Sequence, residues 1–240
     1  SRRQRQMCIR DRYTGLGDSY LSVTKALMHS AISADRKLNI IWIEAGMLED
    51  ATLAEDPSSH SDAWAKLHSV DGILVPGGFG ERGTEGKILT AKYARENKVP
   101  FLGICLGMQA AVIEYARNVL GNKSAHSTEM VPECADPAVI FMPEGSTTHM
   151  GGTMRLGARR TFFQTQDCKA AKLYNSPPFV DERHRHRYEV NPDMVDKLEA
   201  AGCVFVGKDE TNRRMEILEL ESHPFFLATQ YHPEYKSRPG

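Results

Sequence analysis

The chain has 240 residues, carries 30 Lys and Arg against 31 Asp and Glu, and is 41% hydrophobic. This predicts a domain with a full apolar core, and the net charge of -1 lacks the basic surplus typical of nucleic-acid binding. No stretch approaches the ~20 apolar residues of a membrane span, and no basic block followed by an apolar stretch opens the chain. Five Cys without metal-ligand spacing indicate no disulfide scaffold, so we expect a cytoplasmic protein with no nucleic-acid or membrane partner.

Residues 1–12 differ from the rest of the chain. Residues 2–12 are dense in Arg, follow neither a helical nor a strand period, and match the translation of an adapter oligonucleotide used for sequencing libraries. We therefore interpret 1–12 as a sequencing-adapter or cloning artefact and 13–240 as the domain, with its first strand and its C-terminal end truncated. A natural basic tail is the alternative.

The sequence after residue 12 alternates helical and strand patterns, and Asp18 is a predicted helix N-cap. In chain order, the predicted elements of the first half are a helix over 18–34, a strand over 38–44, a loop over 55–62, a short helix over 63–68, a strand over 72–75, a helix over 86–97, a strand over 99–104 and a helix over 108–118.

After residue 120 the pattern loosens and includes a Gly-rich loop over 150–157. Strands of antiparallel character are predicted over 185–190, 204–206, 215–219 and 226–230, with a helix over 193–201. This alternation predicts an α/β fold, in which a doubly wound, mostly parallel sheet is flanked by helices and carries a smaller antiparallel extension. No repeat or linker interrupts 13–240, which is predicted to be one domain.

Cys105 lies between a predicted strand and a predicted helix, with Gly103 two residues before it and Gly107 two residues after it. This is the spacing of a nucleophile elbow, because side chains at both glycine positions would clash in the tight turn. The turn aims the thiol at a helix N-terminus, whose partial positive charge favours the thiolate. A buried structural cysteine is the alternative, which the flanking glycines disfavour.

A base for this thiol is predicted in the segment Gln-Tyr-His-Pro-Glu at 230–234. In an extended run, residues i and i+2 face the same side, so Glu234 can hold one ring nitrogen of His232 while the other faces Cys105. This is the Cys-His-acid arrangement of acyl transfer.

Acyl transfer also needs donors for an oxyanion, and the segment Pro-Gly-Gly-Phe-Gly at 76–80 follows the strand before the nucleophile strand. Its exposed backbone N–H groups can point into the same cleft. Phosphate binding is the alternative, but the segment lacks the Lys-Ser/Thr of a P-loop and the order GxGxxG. The oxyanion interpretation is favoured.

These three segments, PGGFG at 76–80, GICLGMQ at 103–109 and QYHPE at 230–234, resemble the class I, triad-type glutamine amidotransferases in order and spacing. Four further segments resemble the glutaminase domain of the CTP synthase family, namely RGTEGKI at 82–88, KSAHSTE at 123–129, MGGTMRLG at 150–157 and RHRHRYEVN at 183–191. The resemblance extends from about residue 13 to the end of the chain.

The resemblance implies hydrolysis of L-glutamine, with Cys105 as nucleophile, His232 as base and Glu234 as the group that orients the base. Glu129 would suit the α-ammonium group of glutamine and Arg187 its α-carboxylate. The implied positions for binding glutamine or its oxyanion are Gly77, Gly78, Leu106, Gly107, Met108, Gln109, Glu129 and Arg187.

The resemblance also implies a longer parent chain. Its amidoligase domain would bind UTP, ATP and magnesium and use the ammonia, and GTP would activate the enzyme through the loop over 150–157. The parent is expected to be a homo-oligomer, a tetramer. No cofactor is implied for this domain itself.

Several other polar and thiol side chains receive a simpler interpretation. His184 and His186 alternate with Arg residues that would repel a cation, so no metal site is predicted. Cys134, Cys168 and Cys203 are interpreted as structural.

Two alternative functions stay open. The first is a stand-alone γ-glutamyl hydrolase, or the glutaminase subunit of another amidotransferase, with the same triad. The second is a non-catalytic module of a CTP synthase polymer. The segments 150–157 and 183–191 disfavour the first, and the intact Cys, His and Glu disfavour the second.

Overall fold

The computed structural model describes residues 4–11, 20–142 and 154–239. Its strands are β1 (Gln4–Asp11), β2 (Lys37–Glu44), β3 (Gly72–Val75), β4 (Phe101–Ile104), β5 (Ala125–Ser127), β6 (Asp136–Phe141), β7 (Arg155–Phe163), β8 (Phe179–His186), β9 (Tyr188–Val190), β10 (Cys203–Lys208), β11 (Met215–Leu220) and β12 (Phe226–Thr229). Its helices are α1 (Leu21–Ser33), α2 (Asp50–Glu55), α3 (Pro57–His68), α4 (Thr84–Asn97), α5 (Leu106–Asn118), α6 (Lys169–Leu173) and α7 (Pro192–Ala200).

Nine of the described strands form one sheet in the order β2-β1-β3-β4-β12-β11-β10-β7-β8. The strands from β2 to β12 in this order are parallel, and those from β11 to β8 add in antiparallel fashion. A second sheet has the order β5-β6-β9. The predicted fold class, a parallel sheet with an antiparallel extension, is confirmed.

Strand β12 joins the two parts of the large sheet. It pairs parallel with β4, with Thr229 opposite Ile104, and antiparallel with β11. The predicted antiparallel character of 226–230 is confirmed on the side of β11, whereas the parallel pairing with β4 was not predicted. Because β4 and β12 run parallel and end side by side, the residues that follow β12 lie beside Cys105, the residue that follows β4.

Residues 4–11 form β1 between β2 and β3, with Met7 opposite both Ile40 and Gly72. Strand pairing uses backbone N–H and C=O groups, which every sequence supplies, so it does not reveal the origin of these residues. The interpretation of 1–12 as an artefact stays a prediction.

The loop predicted over 55–62 is wrong, because α3 already begins at Pro57. The Asp56 carboxylate accepts a hydrogen bond from the Ser59 backbone N–H at 3.0 Å, and Pro57 occupies the first helical position, where a missing N–H costs nothing. Asp-Pro-Ser is thus a helix start, although its composition suggests a loop.

The strand predicted over 185–190 is two strands, β8 and β9, that belong to different sheets. Strand β7, at Arg155–Phe163, was not predicted and includes the end of the Gly-rich segment. The predicted N-cap Asp18 and residues 150–153 of that segment lie outside the described residues.

Helix α5 lies in the core, where each residue from Leu106 to Ala116 is buried. Beneath it the rings of Phe101 and Phe226 stack with centroids 4.3 Å apart and join β4 to β12. The start of α5 is therefore held by packing rather than by a mobile loop. Within the described residues, no helix combines the length and apolarity that crossing a membrane requires.

Candidate active site

Cys105 occupies a strained turn between β4 and α5. Its φ of 53° and ψ of -104° are unusual for a residue with a side chain, a conformation that costs on the order of 1 to 3 kcal/mol. The Cys105 N–H donates to the Thr229 carbonyl at 2.7 Å, and the Cys105 carbonyl accepts from Met108 N–H at 3.0 Å. These bonds to β12 and to the first turn of α5 hold the turn in place.

The glycines on either side of Cys105 are required by close backbone contacts. A Cβ on Gly107 would lie 2.2 Å from the Val75 carbonyl oxygen, and a Cβ on Gly103 would lie 2.8 Å from the backbone of Gly107. Both distances are shorter than van der Waals contact. Strands β3 and β4 and helix α5 therefore approach one another so closely that only glycine fits at these two positions.

His232 lies against Cys105 and Glu234. Its Nδ1 is 2.8 Å from Glu234 Oε1, and its side chain is hydrogen-bonded to Cys105. Burial by itself lowers the pKa of His232, but the hydrogen bonds to Cys105 and Glu234 outweigh burial and raise the pKa to about 10. The ring is therefore an imidazolium at neutral pH.

The backbone that brings His232 and Glu234 together is not the extended run that we expected. Strand β12 ends at Thr229, and Pro233–Lys236 is a turn of 3-10 helix with Glu234 in it. The His232 N–H donates to the Arg183 carbonyl on β8 at 2.8 Å. Strand β8 thus fixes the position of His232.

The Gly-rich segment 76–80 follows β3 and passes beside Cys105. A Cβ on Gly77 would lie 2.8 Å from His232 Cε1 and 3.3 Å from Cys105 Cβ, so a side chain there would displace the histidine. The Gly80 N–H donates to Glu129 Oε1 at 3.2 Å, which ties the segment to Glu129.

A small cleft opens beside Cys105. Its lining includes five of the predicted site residues, whereas Leu106 and Met108 are buried in the core at the start of α5. Neither residue lines the cleft. The lining residues are Gly78, Phe79, Cys105, Gln109, Glu129, His186, Arg187 and Tyr188.

The sequence analysis did not predict two polar groups near Cys105, which are the side-chain amide of Gln230 and the backbone carbonyl of Tyr188. Gln109 Nε2 donates to the Tyr188 carbonyl at 2.8 Å and to Gln230 Oε1 at 3.4 Å, and Gln230 Nε2 lies 3.7 Å from Cys105 Sγ. The signal for Gln230 was its position two residues before His232. No local pattern identifies the carbonyl of Tyr188.

His184 and His186 lie under the cleft and bond to each other, with Nδ1 and Nε2 2.9 Å apart. Burial lowers the pKa of His184 to about 2 and that of His186 to about 3, so both rings are neutral. Within the described parts of the chain, no three His, Cys, Asp or Glu side chains are grouped to hold a metal ion.

A buried ion pair adjoins these histidines. Arg155 Nη2 and Glu216 Oε1 are 2.8 Å apart, and burial raises the pKa of Glu216 to about 7. Arg155 begins β7 and lies opposite His186 in the pairing with β8. The end of the Gly-rich segment is therefore anchored beneath the cleft.

The sequence matches the family model of class-I glutamine amidotransferases over residues 16–240. It is 57% identical over 237 residues to the CTP synthase of Eremothecium gossypii, a match that covers 97% of this chain and 41% of that protein. It is also 57% identical over 228 residues to CTP synthase 1-B of Xenopus laevis. That match covers 95% of this chain and 39% of the Xenopus protein. The chain thus spans about two fifths of the length of these relatives.

Among solved structures, the glutaminase domain of Trypanosoma brucei CTPS with bound acivicin matches with a TM-score of 0.89 and 37% identity. That match covers 98% of this chain and 88% of the other. A glutamine amidotransferase from Thermotoga maritima, at 10% identity and a TM-score of 0.58, shares the fold alone.

Proposed function

Because this chain belongs to the class-I glutamine amidotransferase family, we propose that it hydrolyses L-glutamine to glutamate and ammonia with Cys105, His232 and Glu234 as its triad. The observation that carries the proposal is the contact of Cys105, held in a strained elbow, with a histidine whose Nδ1 is 2.8 Å from Glu234. This geometry supports a thiolate paired with an imidazolium before substrate binds.

In the proposed reaction, the Cys105 sulfur attacks the side-chain amide carbon of glutamine. The resulting oxyanion is held by backbone N–H groups of Gly78 and of the first turn of α5, where N–H groups lack intrahelical acceptors. Imidazolium His232 protonates the leaving ammonia, which leaves a γ-glutamyl thioester. Neutral His232 then takes a proton from water, which attacks the thioester and releases glutamate.

Glu129 and Arg187 are proposed to hold the α-ammonium and the α-carboxylate of glutamine. Both line the cleft with Cys105, and they carry opposite charges that match the two groups. Gln109, whose amide is held by the Tyr188 carbonyl, contributes a further polar group to the same cleft. The buried Leu106, Gly107 and Met108 contribute backbone.

The proposed parent protein uses this ammonia to aminate UTP to CTP with ATP and magnesium. These ligands are assigned to an amidoligase domain of the parent, as the family resemblance implies. GTP activation through residues 150–157, a tetrameric parent and a cytoplasmic location belong to the same proposal. Its support is the 57% identity to CTP synthases.

Acivicin, a glutamine-like electrophile, is expected to label Cys105 faster than the three other described thiols. Cys168 and Cys203 are buried, which raises the pKa of each thiol and disfavours the reactive thiolate. Cys134 is more exposed than Cys105 and serves as the internal control, since a reagent guided by access alone would prefer it. Peptide mass spectrometry with and without glutamine measures the selectivity. Equal labelling of Cys105 and Cys134 would contradict the proposal.

Replacing Glu129 with Gln or Arg187 with Met is expected to raise the KM for glutamine about tenfold or more. Each change removes a charge-assisted contact worth about 1.5 to 3 kcal/mol. Steady-state ammonia release measures the KM, and alkylation of Cys105 by iodoacetamide, which has no α-amino acid group, provides the control. Unchanged glutamine kinetics in both variants would show that other residues bind the substrate.

A further inference from the structure

One buried amide touches the reacting sulfur from outside the triad. Gln230 is 1% exposed, its backbone N–H donates to the Glu216 carbonyl at 2.9 Å, and its Nε2 lies 3.7 Å from Cys105 Sγ. A distance of this size suits an N–H donor and a sulfur acceptor, because sulfur is larger than oxygen. Gln230 directly follows β12, so the sheet fixes where its side chain begins.

The neighbouring groups determine which end of this amide faces the sulfur. The Tyr188 carbonyl can only accept a hydrogen bond, so the amide end of Gln109 that faces it at 2.8 Å is the NH₂. The same NH₂ lies 3.4 Å from the Gln230 side chain, which must present its oxygen there. The NH₂ of Gln230 is then left to face Cys105.

We propose that Gln230 is a catalytic residue that donates an N–H hydrogen bond to the Cys105 sulfur and stabilises its thiolate form. This role rests on the proposed function, because it assigns Gln230 a part in that reaction. The hydrogen bond to sulfur itself is independent of the substrate. It makes Gln230 the second donor to the sulfur, beside His232.

The residue type suits this role. A buried thiolate needs hydrogen-bond donors in place of water, and an unmatched negative charge in this position is costly. The neutral thiol has a different partner, since its S–H can donate to the Arg185 carbonyl at 4.0 Å. The Gln230 amide therefore discriminates between the two states of the sulfur and favours the one that attacks.

The test replaces Gln230 with Met, which keeps the length of the side chain and removes the donor, and separately with Leu, which also removes the donor. We expect each variant to slow alkylation of Cys105 by iodoacetamide at pH 8 about tenfold. The kcat for ammonia release should fall in the same variants by a factor similar to that of the alkylation rate. The KM for glutamine should stay within about twofold of the original value.

A role in packing alone predicts a different result, because Met fills the space of Gln230 without a hydrogen-bond donor. If either variant folds with an unchanged melting temperature and is alkylated at the original rate, the proposal is overturned. The exposed Gln164, changed to Met, is the matched control and should keep the original rate. If the unmodified chain releases no ammonia, the proposed function fails, and the alkylation rates still test the hydrogen bond.

Discussion

Replacement of Cys105 by Ala is expected to lower ammonia release from glutamine by about a thousandfold or more. The proposed pathway passes through a thioester to this sulfur, and without the nucleophile only the binding and oxyanion contributions to rate remain. Alanine keeps the Cβ that packs beside Gly77, so the strained turn and the fold should persist. Steady-state ammonia release, with thermal unfolding alongside it, measures both effects.

The matched control is Cys134→Ala, which removes a thiol outside the cleft and should leave ammonia release unchanged. A Cys105→Ala variant that keeps more than about a tenth of the original rate would show that Cys105 is not the nucleophile. Loss of activity together with a large drop in melting temperature would instead identify a structural cysteine.

Replacement of Glu234 by Gln is expected to lower kcat by roughly 10²- to 10⁴-fold, as loss of the orienting acid does in other triads. Glu234 accepts from His232 Nδ1 at 2.8 Å, and this contact is one of the two that raise the pKa of the ring to about 10. Without the carboxylate the pKa of His232 falls. At pH 7 a smaller fraction of His232 is then imidazolium. This is the form that pairs with the sulfur and that protonates the leaving nitrogen.

This effect is measured by kcat and by the rate of Cys105 alkylation at pH 7, both of which should fall together. The control is Glu210→Gln, which removes a carboxylate of the same size from an exposed turn. A Glu234→Gln variant with unchanged kcat would remove Glu234 from the triad and leave His232 oriented by the backbone bond to Arg183.

The parts of the site that the sequence analysis located correctly depend on contacts over a few residues. The turn at Cys105 needs glycine at 103 because the backbone of Gly107 folds back against it, and both glycines flank Cys105 in the printed sequence. Gly107 is also constrained from a distance, by the Val75 carbonyl of β3. His232 and Glu234 are two apart, so their meeting was predictable although the backbone between them is a 3-10 turn. The start of α3 depends on equally local contacts, at Asp56 and Pro57, but it was missed because the composition of this segment suggests a loop.

The wider substrate cleft could be anticipated only through family resemblance. The charges of Glu129 and Arg187 are ordinary in the sequence, and no local period places them in one cleft. In β8, the alternation that exposes Arg183 and Arg185 also buries His184 and His186, but the sequence alone does not say which set faces inward.

The tertiary structure alone decided which groups surround the sulfur. The direction of β12 depends on its pairing with β4, and a parallel register rather than an antiparallel one brings Gln230 and His232 beside Cys105. The Tyr188 carbonyl, which orients Gln109 and through it Gln230, belongs to a strand of the second sheet. The residue types that carry the chemistry can be read from the sequence. The direction of the hydrogen bonds made by Gln109 and Gln230 depends on partners about 80 to 125 positions away in sequence. Only the packing of the two sheets brings these partners within reach.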